Sequence, residues 1–162
     1  MRRRDREMPK EFALEIIDKC GYAVLSMIDQ DAPYAVPISV ARDGDTVYFH
    51  CAKEGRKTYP RVCLVFVGDV RPAFDKFTTE YESAIVTGNA REVLKESEKI
   101  HALRIICERY TPSNMYQFDE AIEKSLDRTA IWKVDISTIS GKRKKYGPDG
   151  EEVKYGRPLS IL

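Results

Sequence analysis

The residues most able to do chemistry lie in one stretch, Tyr48-Phe49-His50-Cys51-Ala52-Lys53-Glu54-Gly55-Arg56-Lys57. A short apolar strand runs into a loop that carries one histidine, one glycine and three cations within eight residues. Converging charge-assisted donors of this kind grip an anionic small molecule, phosphate above all. Arginine contributes a planar fork and lysine a point charge. The competing reading is a solvated basic turn, and for His50 a polar residue on the open face of a strand rather than a proton donor.

Other chemistries are set aside by their missing patterns. The chain has no G-x-G-x-x-G, no G-x-x-x-x-G-K-[ST] and no G-x-S-x-G, so dinucleotide, P-loop and nucleophile-elbow fingerprints are absent. Cys20, Cys51, Cys63 and Cys107 are scattered without a C-x-x-C pair and with only His50 and His101 beside them. They read as free thiols, with no disulfide framework and no metal site. His101 falls inside a helical pattern and reads as a structural residue. Lys+Arg is 27 against 26 Asp+Glu, a net charge of +1, which argues against a dedicated nucleic-acid or membrane-surface protein. No apolar run approaches the roughly 18 residues of a membrane span, and the charged stretch Met1-Arg2-Arg3-Arg4-Asp5-Arg6-Glu7 leads into no hydrophobic signal region. The expectation is a cytoplasmic protein without nucleic-acid or membrane partners.

The elements that must position the basic loop follow from periodicity. Phe12, Ile16 and Cys20, flanked by Leu14 and Ile17, predict a helix that starts near Pro9 and stops at Gly21. Strands are predicted at Tyr22–Ile28, Pro33–Val40, Thr46–Cys51, Arg61–Val67, Tyr81–Val93 and Ala130–Ile136. Arg42-Asp43-Gly44-Asp45 marks a hairpin. Pro37 cannot donate to a ladder, so its strand needs an edge or a bulge there, and a peptide unit freed by that break offers hydrogen bonds to a flat polar ring. Gly88 inside a long strand predicts a bulge or a close backbone approach. Ser97 and Ser113 or Asn114 are candidate caps for two helices before the last strand. Val70–Thr79 reads as a loop with a short extended segment, and Gly141-Lys142-Arg143-Lys144-Lys145 as the start of a solvated polar tail. The fold class is therefore mainly β, a six-stranded antiparallel split β-barrel with an N-terminal helix and a helical pair before the last strand. Its domain spans 1–140 and its tail 141–162.

Several blocks together resemble one family. They are Tyr34-Ala35-Val36-Pro37, Tyr48-Phe49-His50-x-Ala52-Lys53-Glu54-Gly55-Arg56-Lys57, Pro60-Arg61-Val62-Cys63 and Tyr81-Glu82-Ser83-x-Ile85-Val86-x-Gly88. The family is the pyridoxamine-phosphate-oxidase-like, FMN-binding split barrels, in their nitroimidazole-resistance-type branch. The resemblance implies a homodimer with FMN, or alternatively FAD, in clefts at the dimer interface. It places Lys53, Arg56 and Lys57 at the flavin phosphate, with Ser83 adding a hydroxyl near it. It sets Pro37, Ile38, Ser39 and Val40 against the ring, and His50, Cys51 and Ala52 along the same cofactor. Trp132 would complete the pocket from the partner subunit. The chain departs from the pattern in the link after the Arg-Lys pair. Only Thr58-Tyr59 separates Lys57 from Pro60, where the family carries a short helix, and Tyr59 precedes a proline that disfavours helix.

The function so implied is an NAD(P)H-linked flavin reductase of small aromatic nitro compounds, with His50 as proton donor or substrate contact. The alternative is a non-catalytic split barrel that holds flavin or haem.

Overall fold

The structure, a computed structural model, describes residues 2–29, 31–53 and 60–155. The alternating apolar pattern becomes one antiparallel sheet. Strand β1 (Glu7–Met8) and helix α1 (Lys10–Lys19) come first. Then follow β2 (Ala23–Asp29), β3 (Ala32–Ile38), β4 (Val40–Asp43), β5 (Thr46–Ala52), β6 (Arg61–Ala73) and β7 (Thr78–Glu92). Helices α2 (Glu96–Tyr110) and α3 (Phe118–Ser125), bridged by a 3-10 stretch at Pro112–Gln117, precede β8 (Thr129–Lys144). The sheet order is β3-β2-β6-β7-β8-β5-β4, with β1 paired to β8.

The two edge strands of that order, β3 and β4, are consecutive in the chain and separated by Ser39 alone. One extended run therefore joins opposite edges of the sheet and curls it into a split barrel. This is why eight strands stand where six were expected: the run Pro33–Val40 divides at Ser39, and β1 adds a short pair with β8. Pro37 lies on an edge strand opposite Val24, the position a residue without an N–H tolerates. Gly44 has φ +56 in the two-residue turn between β4 and β5, as the hairpin signal required.

Two expected boundaries move. Strand β6 does not stop at Val67. A bulge between Gly68 and Arg71, with Asp69 at φ +51, lets the pairing resume from Arg71↔Glu80 to Ala73↔Thr78. The short extended segment expected within residues 70–79 becomes the paired arm of a hairpin, because the Gly-Asp pair bends the strand instead of ending it. Strand β8 likewise continues through Lys144, so the polar tail starts after 144 and not at 141. The basic run is drawn into the sheet by Glu82, only 5% exposed, which pairs with Lys19 and has the Arg143 Nε at 3.0 Å. A buried carboxylate needs such partners. Lys142 lies over the Tyr81 ring, and buried Lys144 donates to the Thr78 hydroxyl.

The barrel interior holds Leu25, Val47, Phe49, Leu64, Phe66 and Val86, closed on one side by Ala13, Ile16 and Ile17 of α1. α1 sits close over Gly141, where a Cβ would stand 3.2 Å from both Ala13 and Met8. The helix ends on an extended Cys20 rather than on a left-handed glycine. Arg109 donates to the carbonyls of Ile17 and Cys20 at 2.8 and 2.5 Å, supplying partners that a helix end lacks. A second core under α2 and α3 contains Tyr48, Val93, Leu103, Ile106, Phe118 and Ile131. α2 starts at Glu96 with Lys95 at its cap position, so Ser97 lies inside it, and the helix expected after Ser113-Asn114 opens as the 3-10 stretch. Among the described residues no helix is long and apolar enough to cross a membrane.

Both ends of the described chain are tied by charge. Glu152 accepts two hydrogen bonds from Arg6, at 2.5 and 2.7 Å, and Lys154 bridges Glu152 and Asp5. The Arg6 hydrogen bonds hold the Glu152 carboxyl at about 2, below its ordinary 4.5, against the opposing effect of burial. A depressed carboxylate contributes stability in full above its unfolded value and loses it as pH falls through the folded one. Melting temperatures followed from pH 4.5 down to about 2 should drop more steeply for the wild type than for Glu152→Gln. Equal slopes would contradict the clamp.

Gly88 bears out the expected close approach. An added Cβ there would meet the Asp135 carbonyl oxygen at 2.2 Å and Val134 Cγ1 at 2.7 Å, beside the register shift between Thr87 and Gly88. Gly88→Ala should destabilise the fold by about 1–3 kcal/mol in denaturant unfolding, the usual cost of overpacking. An unchanged midpoint would contradict this packing.

Candidate functional site

Strand β4 leaves β3 at Ser39 and pairs with β5 from Val40↔Phe49 to Asp43↔Thr46. In that antiparallel register Ser39 falls beside His50. Past this point β3 pairs only with β2, and the end of β5 pairs only with β8, through Cys51↔Ala130 and Ala52↔Thr129, among the described residues. The outer edge of β3 and the inner edge of β5 thus diverge and leave an open seam. Lys53 follows β5 directly at the mouth of this seam and is exposed.

The corner is fixed from outside. The Tyr110 hydroxyl, at the last residue of α2, accepts from the Val40 N–H at 3.1 Å and donates to the Val40 carbonyl at 3.0 Å. Both peptide groups at the start of β4 are therefore taken. By sequence pattern Tyr110 merely follows a helical stripe; a hydrogen-bonding aromatic just before Thr111-Pro112 is the available signal. A second clamp holds α2 on the strand that carries His50. Glu98 accepts from the Tyr48 hydroxyl at 3.2 Å and from the Lys133 ammonium at 2.5 Å. Burial, with the Glu98 hydrogen bond, pushes the Tyr48 phenol up to about 12. The Lys133 hydrogen bond holds the Glu98 carboxyl below its ordinary range.

The expected site residues divide by location. Pro37, Ser39, His50, Cys51, Ala52 and Lys53 line the corner and the seam. Pro37, Ser39, His50 and Ala52 are exposed and Cys51 is half-buried. Ile38 and Val40 are buried in the barrel core, so their side chains do not face a ring outside it. The freed peptide expected in this strand is not that of Val40, which Tyr110 occupies. Ser39 is the residue outside both strands. Trp132 lies opposite Phe49 and packs against the interior core of its own protomer, at the same end as His50. Ser83 is not brought to this end. It pairs with Val67 and Lys142, nine residues along β7 from Glu92, or about 30 Å of strand. Arg56 and Lys57 lie outside the described residues, as does the link Thr58-Tyr59.

Sequence reading missed one further feature. The outer face of β2, β3, β6 and β7 bears an open groove of about 720 Å³, lined by Ser26, Ile28, Tyr34, Arg61, Cys63 and Thr87 among others. Small side chains at facing positions, Ser26↔Ala35 and Ser26↔Cys63↔Thr87, leave this space. Their alternation was visible, but which strands stand side by side was not.

An antiparallel barrel split at a corner, with a cationic strand end beside the gap, defines the split-barrel class. The sequence matches the pyridoxamine 5'-phosphate oxidase family over residues 9–143. The chain belongs to that family. Solved structures agree in fold. A candidate 5-nitroimidazole antibiotic resistance protein from Bacteroides thetaiotaomicron matches with a TM-score of 0.70 at 24% identity, over 85% of this chain and 86% of that one. A FAD and heme binding protein from Mycobacterium smegmatis matches with a TM-score of 0.76 at 18% identity, over 96% and 89%. A flavocytochrome from Azotobacter vinelandii matches at 0.73 and 21%, over 95% and 80%. A search of curated proteins finds no match.

Tyr110→Phe removes both hydrogen bonds to Val40 and should cost about 1–3 kcal/mol of stability, the penalty of leaving such peptide groups unpaired. Denaturant unfolding measures it, and a loss below about 0.5 kcal/mol would show that the corner holds without this hydroxyl.

Proposed function

We propose that this chain is an FMN-binding flavoprotein that works as a homodimer and reduces small aromatic nitro compounds with electrons from NADH or NADPH. The observation that carries the reading is the open seam at Ser39 with Lys53 at its mouth and Arg56 and Lys57 next in sequence. The donor set suits a flavin mononucleotide. A dianionic phosphate requires several cations to offset its desolvation, and a flat ring suits a gap between two diverging strand edges. FAD shares the same phosphate and ring chemistry and is the alternative cofactor. Membership of the pyridoxamine 5'-phosphate oxidase family and the likeness to flavin proteins support the choice.

Flavin, when bound, supplies the two-electron chemistry. The residues of this chain bind, orient and exclude water. Lys53 with Arg56 and Lys57 holds the phosphate by charge-assisted hydrogen bonds. The Ser39 corner, kept in place by Tyr110, offers backbone at the gap. His50, exposed beside it, contacts the substrate or delivers a proton to it, since imidazole changes charge near neutral pH. Half-buried Trp132 supplies apolar surface at the same end of the barrel as His50.

A second reading, a haem-holding barrel with His50 as ligand, is favoured by the exposure of His50 and by the FAD and heme binding likeness. The absorption spectrum after incubation with each cofactor separates the two, visible flavin bands against an intense Soret band. Titration with FMN should quench its fluorescence at one flavin per chain. Lys53→Ala and Arg56→Ala should each weaken binding about tenfold or more, as loss of a charge-assisted bond does. A flat titration, or unaltered affinity in the double variant, would overturn the flavin reading, and absence of nitroaromatic-dependent NADH or NADPH oxidation would overturn the reductase.

A further inference from the structure

Strand β5 ends where β8 begins. Their antiparallel register runs His50↔Ile131, Cys51↔Ala130 and Ala52↔Thr129. One residue further out, Lys53 leaves β5 and Arg128 enters β8. Opposed Cα atoms in such a pair stand about 4.5–5.5 Å apart, and each further residue adds at most about 3.8 Å. The Cα atoms of Lys53 and Arg128 are therefore no more than about 13 Å apart, so two long side chains can converge on one small group. Both residues are exposed, and among the described residues neither has a carboxylate within 4.0 Å. Asp127-Arg128-Thr129 belongs to none of the sequence blocks that carry the family resemblance.

We propose that Arg128 is a further ligand of the flavin phosphate, reaching it from the junction of α3 and β8 while Lys53 reaches it from the end of β5. The proposal rests on the flavin reading above and adds to it a contact from a second element of the chain.

Three observations carry it. The first is like charge. Cations at neighbouring ends of a strand pair repel each other, and no ion pair among the described residues relieves these two. An anion bound between them does, and a terminal phosphate brings nearly two charges and three acceptor oxygens. The second is the state of the guanidinium. Its Nη2 donates to the Lys124 carbonyl at 3.2 Å, which uses one of the five N–H donors of an arginine. The others suit the two-pronged grip on phosphate that arginine makes and lysine does not.

The third observation is placement. The Thr129 hydroxyl donates to the Ser125 carbonyl at 2.9 Å and the Thr129 N–H to the Leu126 carbonyl, so the backbone on the β8 side of Arg128 is held in place. Lys53, Arg56 and Lys57 follow one another after β5, whereas Arg128 adjoins the strand that carries Trp132. A phosphate gripped from both sides is fixed relative to the sheet, and the ring attached to it is fixed with it.

The bond to Lys124 also has a use of its own, since a cation at the end of α3 complements its last carbonyls. That role acts on the fold and not on phosphate. Riboflavin, which has the ring of FMN without the phosphate, tells the two roles apart.

Fluorescence titrations with FMN and with riboflavin on the wild type, Arg128→Gln and Arg128→Lys test the assignment. The wild type should bind FMN more tightly than riboflavin. Arg128→Gln should weaken FMN about tenfold, the loss of one charge-assisted bond, and leave riboflavin unchanged. Arg128→Lys, which keeps the charge and loses the fork, should fall between. Equal weakening of both ligands would assign Arg128 to the fold, and unaltered FMN affinity in Arg128→Gln would take it out of the site. A wild type that holds riboflavin as tightly as FMN would show that no phosphate is gripped. Each of these three results overturns this proposal alone and leaves a flavin-binding chain, whereas a wild type that binds neither ligand overturns both readings.

Discussion

The fold turns on the two hydrogen bonds between the Tyr110 hydroxyl and the Val40 peptide groups. They hold the point at which one extended segment passes from the first edge of the sheet to the last. A sheet of this length twists and curls by itself, yet closing it by hydrogen bonds would seal the gap between β3 and β5. The chain instead closes the barrel covalently through Ser39 and pins the junction from outside with a helix. What results, among the described residues, is a barrel whose seam beside Ser39 leaves strand edges unpaired.

The same helix organises the surroundings of the seam. Arg109 and Tyr110 are neighbours in the last turn of α2, one taking the end of α1 and the other the corner. At the other end of the helix, Glu98 in the first turn ties α2 to Tyr48 and Lys133, so β5 and β8 are held under it. His50 lies two residues beyond Tyr48 on the same strand face. Its position is thus set by a buried contact even though the side chain is exposed. Precise placement of a residue at the open end of a strand requires this kind of support from packed neighbours.

Much of this was legible in the sequence, for physical reasons. Strand periodicity, the edge proline at Pro37, the turn glycine at Gly44 and the crowded Gly88 are local signals, and local chemistry determines them. The class of fold and the cationic strand end followed directly. The continuation of β6 and β8 did not, because a Gly-Asp pair reads as a stop unless one knows that β7 stands opposite to carry the pairing past the bulge. The basic run 142–145 looked solvated because its counter-charge, Glu82, is sixty residues away in sequence. For the same reason Tyr110 passed as a helix end. Ser83, which the family motif sets near the phosphate, lies about 30 Å along β7 from Glu92 within one protomer.

The central claim is that the cofactor enters the seam at Ser39. Hydrogen–deuterium exchange with and without FMN tests it most directly, since it reports backbone protection segment by segment. Exchange should slow on FMN addition in residues 34–40 and 50–53, with the interior of β6 and β7 unchanged. Protection confined to the groove around Ser26, Cys63 and Thr87, with the corner unaffected, would contradict it.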